Sequence, residues 1–96
     1  MILHIVNQSP FSNRSLQRCL DLMKSDDSLI LIGDAVLLLS NPSVATGLPD
    51  RKRCFALIPD IEARGMQNKS DSLVNPLHYD GFVDLVEQHH KTLSWL

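Results

Sequence analysis

The sequence predicts an α/β fold in which a small, mostly parallel β-sheet is covered by helices on both faces. Short, continuous apolar runs recur along the 96 residues, and such runs are typical of strands that are buried on both faces. Segments with helical spacing or helix-capping residues separate the runs, and this alternation indicates βαβ units. The length suits one domain, which we expect to span residues 1–96.

A strand and an amphipathic helix are predicted first. The run MILHIV at 1–6 predicts the strand, and His4 inside it is expected to be a hydrogen-bonded core histidine. Ser12 or Asn13 is positioned to cap the helix that follows. The apolar positions of this helix share the spacing i, i+3, i+4 and i+7: Leu16, Cys19, Leu20 and Met23.

A second strand and a second helix are predicted in the middle of the chain. The run SLILIG at 28–33 predicts the strand, and Asp34 directly after it is positioned to cap a short helix. Asn41 and Pro42 end this helix. Residues 43–53 carry no regular pattern, and we expect a surface loop there.

The third strand is predicted from the run CFALIP at 54–59. The segment DIEARG then predicts about a turn and a half of helix, with Asp60 as its N-cap and Gly65 just past its end. A weak strand is expected at 73–75.

The last helix is predicted to start near Tyr79, and LSWL at 93–96 is expected to form a final edge strand. One apolar stripe is predicted for this helix and its continuation: Phe82, Val83, Val86, His89, His90 and Leu93. Because the carboxyl ends of parallel strands are where sites gather, attention falls on the segments NQSPF, GDAV and IPDIEARG.

Composition excludes several classes of protein. The net charge is −2 and RKR at 51–53 is the one basic cluster, so direct binding to nucleic acid is not expected. Two cysteines do not form a disulfide framework in a chain this rich in apolar residues. The apolar runs are too short to cross a bilayer and the start lacks a basic signal-peptide region, so a cytoplasmic location is expected.

Cys19 is the candidate catalytic residue, and two interpretations of it stay open. In the first it is a small apolar residue in the core. In the second it is a thiol that accepts sulfur, which requires the apolar stripe of its helix to face a cleft between subunits. Cys54 begins a strand at the amino edge of the sheet, which is the wrong end for an α/β site.

No cofactor and no metal ion are expected. His89 and His90 are adjacent, so one helix face cannot present both to a single zinc ion. SPFSN and IGDAV lack the glycines with which a backbone wraps a phosphate, which argues against a small nucleotide- or flavin-binding domain. From the residues alone, we expect a small α/β domain without an active site of its own.

Four segments in order resemble the TusB/DsrH family over nearly the whole chain. They are LHIVNQSPFSNRSLQRCL at 3–20, LIGDAV at 31–36, IPDIEARG at 58–65 and YDGFVDLVEQHHKTLSWL at 79–96. The resemblance implies a three-layer α/β/α sandwich of the DsrEFH type, with a mostly parallel sheet of 4–5 strands.

The resemblance also implies a non-catalytic subunit of a sulfur-relay complex. Such subunits assemble with TusC-like and TusD-like chains in a heterohexamer that takes persulfide sulfur from TusA and passes it to TusE. The sulfur becomes the 2-thio group of the tRNA wobble uridine. Self-association is expected if these partners are missing, because exposed apolar surface would then be left uncovered.

The alternative implied by the resemblance is a DsrH-like subunit of a sulfur-oxidation complex. The catalytic cysteine of the sulfur relay belongs to the TusD-type subunit, and no position of this chain inherits it. DsrH-like members often carry a cysteine in the first helix, followed by leucine, as Cys19 is here. In this alternative Cys19 is an auxiliary persulfide-carrying thiol.

Overall fold

The computed structural model describes residues 1–69 and 73–95, and in them the chain forms one sheet of five parallel strands. In chain order the strands are β1 (Ile2–Val6), β2 (Ser28–Leu31), β3 (Cys54–Leu57), β4 (Asn75–Leu77) and β5 (Lys91–Trp95). Their spatial order is β4-β3-β2-β1-β5. The predicted mostly parallel sheet of an α/β fold is confirmed, and every strand pair described is parallel.

Helices cover both faces of this sheet. They are α1 (Ser15–Leu22), a 3₁₀ helix (Gly33–Ser40), α2 (Ile58–Ala63) and α3 (Tyr79–Gln88). Side chains from the first three share one hydrophobic cluster with alternate residues of β1, β2 and β3, while α3 packs on the opposite face. The arrangement is the three-layer α/β/α sandwich that the family resemblance implies.

The larger core lies on the face covered by α1 and the 3₁₀ helix. The buried residues of this cluster are Val6, Leu16, Cys19, Leu20, Leu29, Leu31, Ala35, Val36, Leu38, Leu39, Ala45, Cys54, Ala56, Ile61 and Val74. On the other face Leu3, Ile30 and Leu85 form a smaller buried cluster, with partly buried side chains packed around them. The two apolar layers are therefore unequal, and the smaller depends on a single helix.

The segment after β2 forms a 3₁₀ helix, whereas the sequence pattern suggested an ordinary short helix capped by Asp34. A 3₁₀ helix has three residues per turn, so residues at i and i+3 align on one face. Ala35 aligns with Leu38 and Val36 with Leu39, and all four side chains are buried. Asp34 lies inside the first turn and makes no capping hydrogen bond.

Helix α2 begins earlier than predicted, at Ile58, so Asp60 lies in its first turn and is not its N-cap. The reason is Pro59, which has no N–H to leave unpaired and whose backbone angle suits a first helical turn. Gly65 follows the helix with φ of +67°, in the left-handed region that favours glycine there. The strand before it accordingly ends at Leu57.

The chain ends with two short strands whose bounds differ slightly from those predicted. The weak strand lies at Asn75–Leu77, two residues later than expected, and Val74 before it is fully buried in the larger core. The final strand is an edge strand as predicted, but it begins at Lys91. Leu96, which was also assigned to it, lies outside the described residues.

The single apolar stripe predicted for the last helix is wrong. Leu85 is the residue of α3 that is buried, and Phe82 packs beside it, whereas Val83 and Val86 are exposed. The helix ends at Gln88, so His90 and Leu93 belong to the turn and the strand that follow. Hydrophobic spacing showed where α3 is apolar but not which part of that surface faces the sheet.

Candidate functional site

Cys19 lies inside the larger core. It is on α1, and its side chain is completely buried between this helix and the sheet. Burial, reinforced by the negative charge of Asp27, raises the pKa of the Cys19 thiol to about 12. The thiol is therefore protonated at neutral pH, and a protonated thiol is not a nucleophile. Leu16, Cys19 and Leu20 of the apolar stripe of α1 are packed in the core of their own chain.

Cys54 is buried in the same core, at the first position of β3. Burial alone raises the pKa of its thiol to about 12. Arg51, Lys52 and Arg53 precede it in the chain as a 3₁₀ turn, and none of the three side chains is buried. The chain has two cysteines in all, and both are enclosed as neutral thiols.

Polar groups meet at the carboxyl edge of the sheet, around the ends of β1, β2 and β3. The Asp60 carboxylate accepts a hydrogen bond from the Gly33 backbone N–H at 2.8 Å, which joins α2 to the segment after β2. Gly33 has φ of +53°, and a Cβ placed there would lie 3.3 Å from the backbone oxygen of Asn7. This close approach explains why a glycine stands at this position.

Arg64 completes the carboxyl-edge cluster, by which we mean Asn7, Gly33, Asp34, Asp60 and Arg64. Its Nε and Nη2 both donate to Oδ1 of Asp34, at 3.1 and 2.8 Å. Its Nη1 donates to the backbone oxygen of Asp60 at 3.2 Å and lies 3.7 Å from that residue's carboxylate. The guanidinium thus has two carboxylate partners, and the cluster carries a net negative charge.

Asn7 leaves one polar atom of this cluster unpaired within the described part of the chain. Its Oδ1 is buried and has no hydrogen-bond partner there. Asn7 follows β1 directly and contacts the segment at Gly33 through its own backbone. In the carboxyl-edge cluster, hydrogen bonds therefore tie the segment after β2 to α2 beside Asn7, and the cluster contains no nucleophile and no free cation.

A second set of hydrogen-bonded polar side chains lies beside β1 and consists of His4, Asp27 and Trp95. The His4 Nε2 lies 3.0 Å from Oδ2 of Asp27, and the Trp95 indole N–H donates to His4 Nδ1 at 3.0 Å. His4 and Asp27 are each only 3% exposed. The expectation that His4 is a hydrogen-bonded core histidine is confirmed.

Several hydrogen bonds keep Asp27 ionised. Burial alone would raise the pKa of its carboxyl, but the hydrogen bonds from His4 and from the backbone N–H groups of Lys24 and Ile2 outweigh it. The net result is a pKa below the ordinary value. The carboxylate ties together the start of β1, the turn after α1 and the start of β2.

The histidines near the end of α3 are not brought together with metal-ligating partners. His89 Nδ1 lies 2.6 Å from the backbone oxygen of Leu85, and its Nε2 is buried without a partner among the described residues. Within residues 1–69 and 73–95, no three His, Cys, Asp or Glu side chains are grouped as a metal site would need. In the same ranges no helix combines the length and apolar character needed to cross a membrane.

Comparison with known proteins identifies the family to which the chain belongs. Residues 8–92 match the family described as DsrH like protein. The chain belongs to the DsrH-like family. The resemblance drawn from four sequence segments is thereby confirmed.

Individual relatives match the DsrH-like chain from end to end. Protein TusB of Pectobacterium atrosepticum is 31% identical over 96 residues, covering 98% of this chain and 100% of its own length. Protein TusB of Buchnera aphidicola subsp. Baizongia pistaciae is 33% identical over 95 residues, with the same coverage. The solution structure of protein Tm0979 from Thermotoga maritima has a TM-score of 0.67 and 25% identity, covering 93% of this chain and 94% of that one.

Three of the four segments that carry the family resemblance meet in space at the carboxyl-edge cluster, and residues 3–20 supply Asn7. Residues 31–36 supply Gly33 and Asp34, and residues 58–65 supply Asp60 and Arg64. Sequence reasoning located these segments at strand ends but treated Asp34 and Asp60 as helix caps. It also missed that Asp27 is the partner of His4, since no local pattern joins residues 23 positions apart.

Proposed function

We propose that this DsrH-like chain is a TusB-type, non-catalytic subunit of a cytoplasmic sulfurtransferase complex, acting as one domain that spans residues 1–96. Its partners are TusC-like and TusD-like subunits in a heterohexamer. The complex takes persulfide sulfur from TusA and delivers it to TusE for 2-thiolation of the tRNA wobble uridine. The end-to-end similarity to proteins named TusB supports this proposal.

The observation that carries the non-catalytic role is the state of the two cysteines. Persulfide transfer requires an acceptor thiolate to attack the outer sulfur of a donor persulfide. The S–S bond then breaks and the donor leaves as a thiolate. Cys19 and Cys54 are completely buried, and the pKa of each thiol is raised to about 12. Neither supplies an accessible thiolate, so the reacting thiols belong to companion chains.

A structural role also agrees with the remaining chemistry of the chain. The carboxyl-edge cluster pairs its one guanidinium with two carboxylates and joins the segment after β2 to α2. Such a cluster holds a surface in shape but offers nothing to bind or activate sulfur. In this proposal the chain helps to enclose the persulfide that a companion carries and protects it from stray thiols.

Reconstitution of the complex tests the proposal. The chain is co-expressed with TusC-like and TusD-like subunits, and native mass spectrometry is expected to show a defined heterohexamer. Transfer of sulfur to a TusE-like acceptor is expected to need all three chains and to survive Cys19→Ala. A complex that transfers sulfur equally well without this chain would refute the proposal.

The DsrH-like alternative makes Cys19 an auxiliary persulfide carrier in a sulfur-oxidation complex. The match to the family described as DsrH like protein supports this alternative. It requires α1 to move so that Cys19 meets a donor. Mass spectrometry after loading with a persulfide donor distinguishes the two, with Cys19→Ser as the control. A sulfur adduct confined to Cys19, together with loss of transfer in the variant, would support this alternative.

A further inference from the structure

A cavity of about 340 Å³ lies at the amino edge of the sheet, beside the end of α3. Its innermost lining consists of Ser28 at the start of β2, Phe55 of β3 and Leu85 of α3. Small-molecule sites in proteins have volumes of about 300–1,000 Å³, so this cavity has the size for a small ligand. It lies at the opposite end of the strands from the carboxyl-edge cluster.

Ser28 brings an unpaired hydroxyl to this cavity. The residue is only 5% exposed, and its hydroxyl forms no hydrogen bond with another described residue. Side chains alternate along a strand, so Ser28 shares a face with Ile30, the face that α3 covers and where the cavity lies. Buried polar groups in proteins are nearly always hydrogen-bonded. The Ser28 hydroxyl is therefore available to a group that enters the cavity.

Two cationic side chains, Lys52 and Arg53, also line the cavity, and its described lining includes no aspartate or glutamate. The Lys52 ammonium has no partner among the described residues. Arg53 donates from Nη1 to the backbone oxygen of Asp26 at 2.9 Å, and its other N–H groups remain unpaired within the described part of the chain. A guanidinium and an ammonium together favour the binding of a carboxylate or phosphate group.

The negative groups near the cavity already have partners. The Asp26 carboxylate lies 3.3 Å from the amino group of Met1 and pairs with it. The last turn of a helix carries a partial negative charge on its carbonyl oxygens. At the end of α3, the carbonyl oxygen of Leu85 accepts a hydrogen bond from Nδ1 of His89 at 2.6 Å. The positive charge of Lys52 and Arg53 is therefore left for a ligand.

We propose that this cavity binds a small amphipathic anion. Its oxyanion head lies against Lys52 and Arg53 and pairs with the Ser28 hydroxyl, while its apolar part packs on Phe55 and Leu85. Apolar contact supplies most of the affinity at such a site, and the few polar groups fix the orientation of the ligand. The cavity is separate from the carboxyl-edge cluster, and its ligand does not depend on the proposed function.

Phenyl phosphate is the probe with which the full chain is titrated, followed by the amide shifts in NMR spectra. Saturable shifts are expected at Ser28, Lys52, Arg53 and His89, which line the cavity. Inorganic phosphate offers only the charged head and phenol only the apolar ring. Each is expected to bind at least about fivefold more weakly than phenyl phosphate, because each lacks one half of the contact.

Charge variants test the contribution of the cations. Lys52→Gln with Arg53→Gln is expected to weaken the binding of phenyl phosphate about tenfold. Arg14→Gln with Arg18→Gln is the matched control, since it removes the same charge from exposed positions at α1, on the opposite face. It is expected to change binding by less than about twofold. Lys52→Gln alone, expected to weaken binding about threefold, keeps the test informative if the double variant does not fold.

Ser28→Ala separates binding from stability. The substitution removes a hydroxyl that has no protein partner, so urea unfolding is expected to show unchanged stability. Phenyl phosphate is expected to bind about threefold more weakly to this variant, because one hydrogen bond to the ligand is lost. A hydroxyl with a purely structural role would give the reverse result.

Three results would overturn the proposal. Equal affinity for inorganic phosphate and phenyl phosphate would show that only charge attracts the probe. Equal affinity for phenol and phenyl phosphate would show that the anion is not recognised. Unchanged binding of phenyl phosphate to the Lys52→Gln, Arg53→Gln variant would place the probe elsewhere. Each of these results would leave the proposed function standing.

Discussion

Trp95 donates its indole N–H to Nδ1 of His4 across 91 positions of the chain. An indole nitrogen only donates, so His4 Nδ1 must accept and the proton of the neutral ring lies on Nε2. That proton then points at the Asp27 carboxylate, 3.0 Å away. Besides pairing with β1 through its backbone, the last strand is therefore linked through His4 to Asp27, the residue that precedes β2.

Removing the indole N–H should loosen this connection. Trp95→Phe keeps most of the packing against the larger core but leaves His4 Nδ1 without its donor. We expect a loss of about 1–2 kcal/mol in the free energy of unfolding, the usual result of leaving a buried acceptor unpaired. Urea denaturation measures it. Tyr79→Phe, an aromatic change at an exposed site, serves as control and should leave stability unchanged; equal losses in both would contradict the role of the Trp95–His4 bond.

Asp27 should make stability depend on pH in the acidic range. Its pKa is lower in the folded chain than the ordinary value of 3.8, so the ionised carboxylate stabilises the fold fully above that value. This contribution is lost as the pH falls from the ordinary value toward the folded one. Asp27→Asn should reduce the free energy of unfolding by about 2–3 kcal/mol at neutral pH and flatten this part of the pH profile.

The neighbouring Asp26→Asn is the matched control for that experiment. Asp26 has a side chain that is 56% exposed and pairs with the terminal amino group at 3.3 Å. Exposed pairs of this kind contribute little to stability. If the two asparagine variants show the same pH profile, the buried His4–Asp27 pair is not the source of acid sensitivity.

Adding a side chain should destabilise the fold more at Gly33 than at Gly47. Both have positive φ, +53° and +86°, so alanine is strained at either position. A Cβ at Gly33 would also meet the Asn7 oxygen at 3.3 Å, whereas at Gly47 it would meet nothing within 4 Å. We expect Gly33→Ala to lower the free energy of unfolding by about 2 kcal/mol and Gly47→Ala by about 1 kcal/mol. The reverse order in thermal unfolding would argue against close packing at the carboxyl-edge cluster.

Both cysteines should resist alkylation in the folded chain. Reaction with iodoacetamide requires the thiolate, and burial raises the pKa of Cys19 and Cys54 to about 12. Mass spectrometry at neutral pH is expected to show almost no labelling until the chain is unfolded in urea, when both sites react. Rapid labelling of Cys19 alone in the native chain would show that α1 opens, and would revive the persulfide-carrier alternative.

Local pattern was enough to predict most of the strands and helices. Strands buried on both faces are runs of consecutive apolar residues, and β1, β2 and β3 lie within the runs from which they were predicted. Boundaries shifted by a few residues, as where β4 begins at Asn75, two residues later than predicted. The segment after β2 is apolar at both i, i+3 (Ala35 and Leu38) and i, i+4 (Ala35 and Leu39), so its sequence did not distinguish a 3₁₀ helix from an α-helix.

The functional geometry was much less accessible from pattern. Asp34 and Asp60 were predicted as helix caps because each precedes a helical segment. Instead, the Asp34 carboxylate pairs with Arg64 and the Asp60 carboxylate accepts from the Gly33 N–H, and these contacts form only when β2 and β3 pair. In the same way, the spacing in α3 marked Val83 and Val86 as apolar without indicating whether they face the sheet or solvent. Hydrophobic periodicity indicates that a helix has an apolar surface, but it does not indicate which part of the fold covers that surface.

By itself, then, the sequence determined the order of strands and helices, the parallel character of the sheet and the family, because these depend on residues close together in the chain. Only the tertiary structure decided that Cys19 is an enclosed neutral thiol, that His4 is held between Asp27 and Trp95, and that one side of α3 remains bare. The physical reason is that burial, proton position and pKa depend on groups that meet only after the chain has folded.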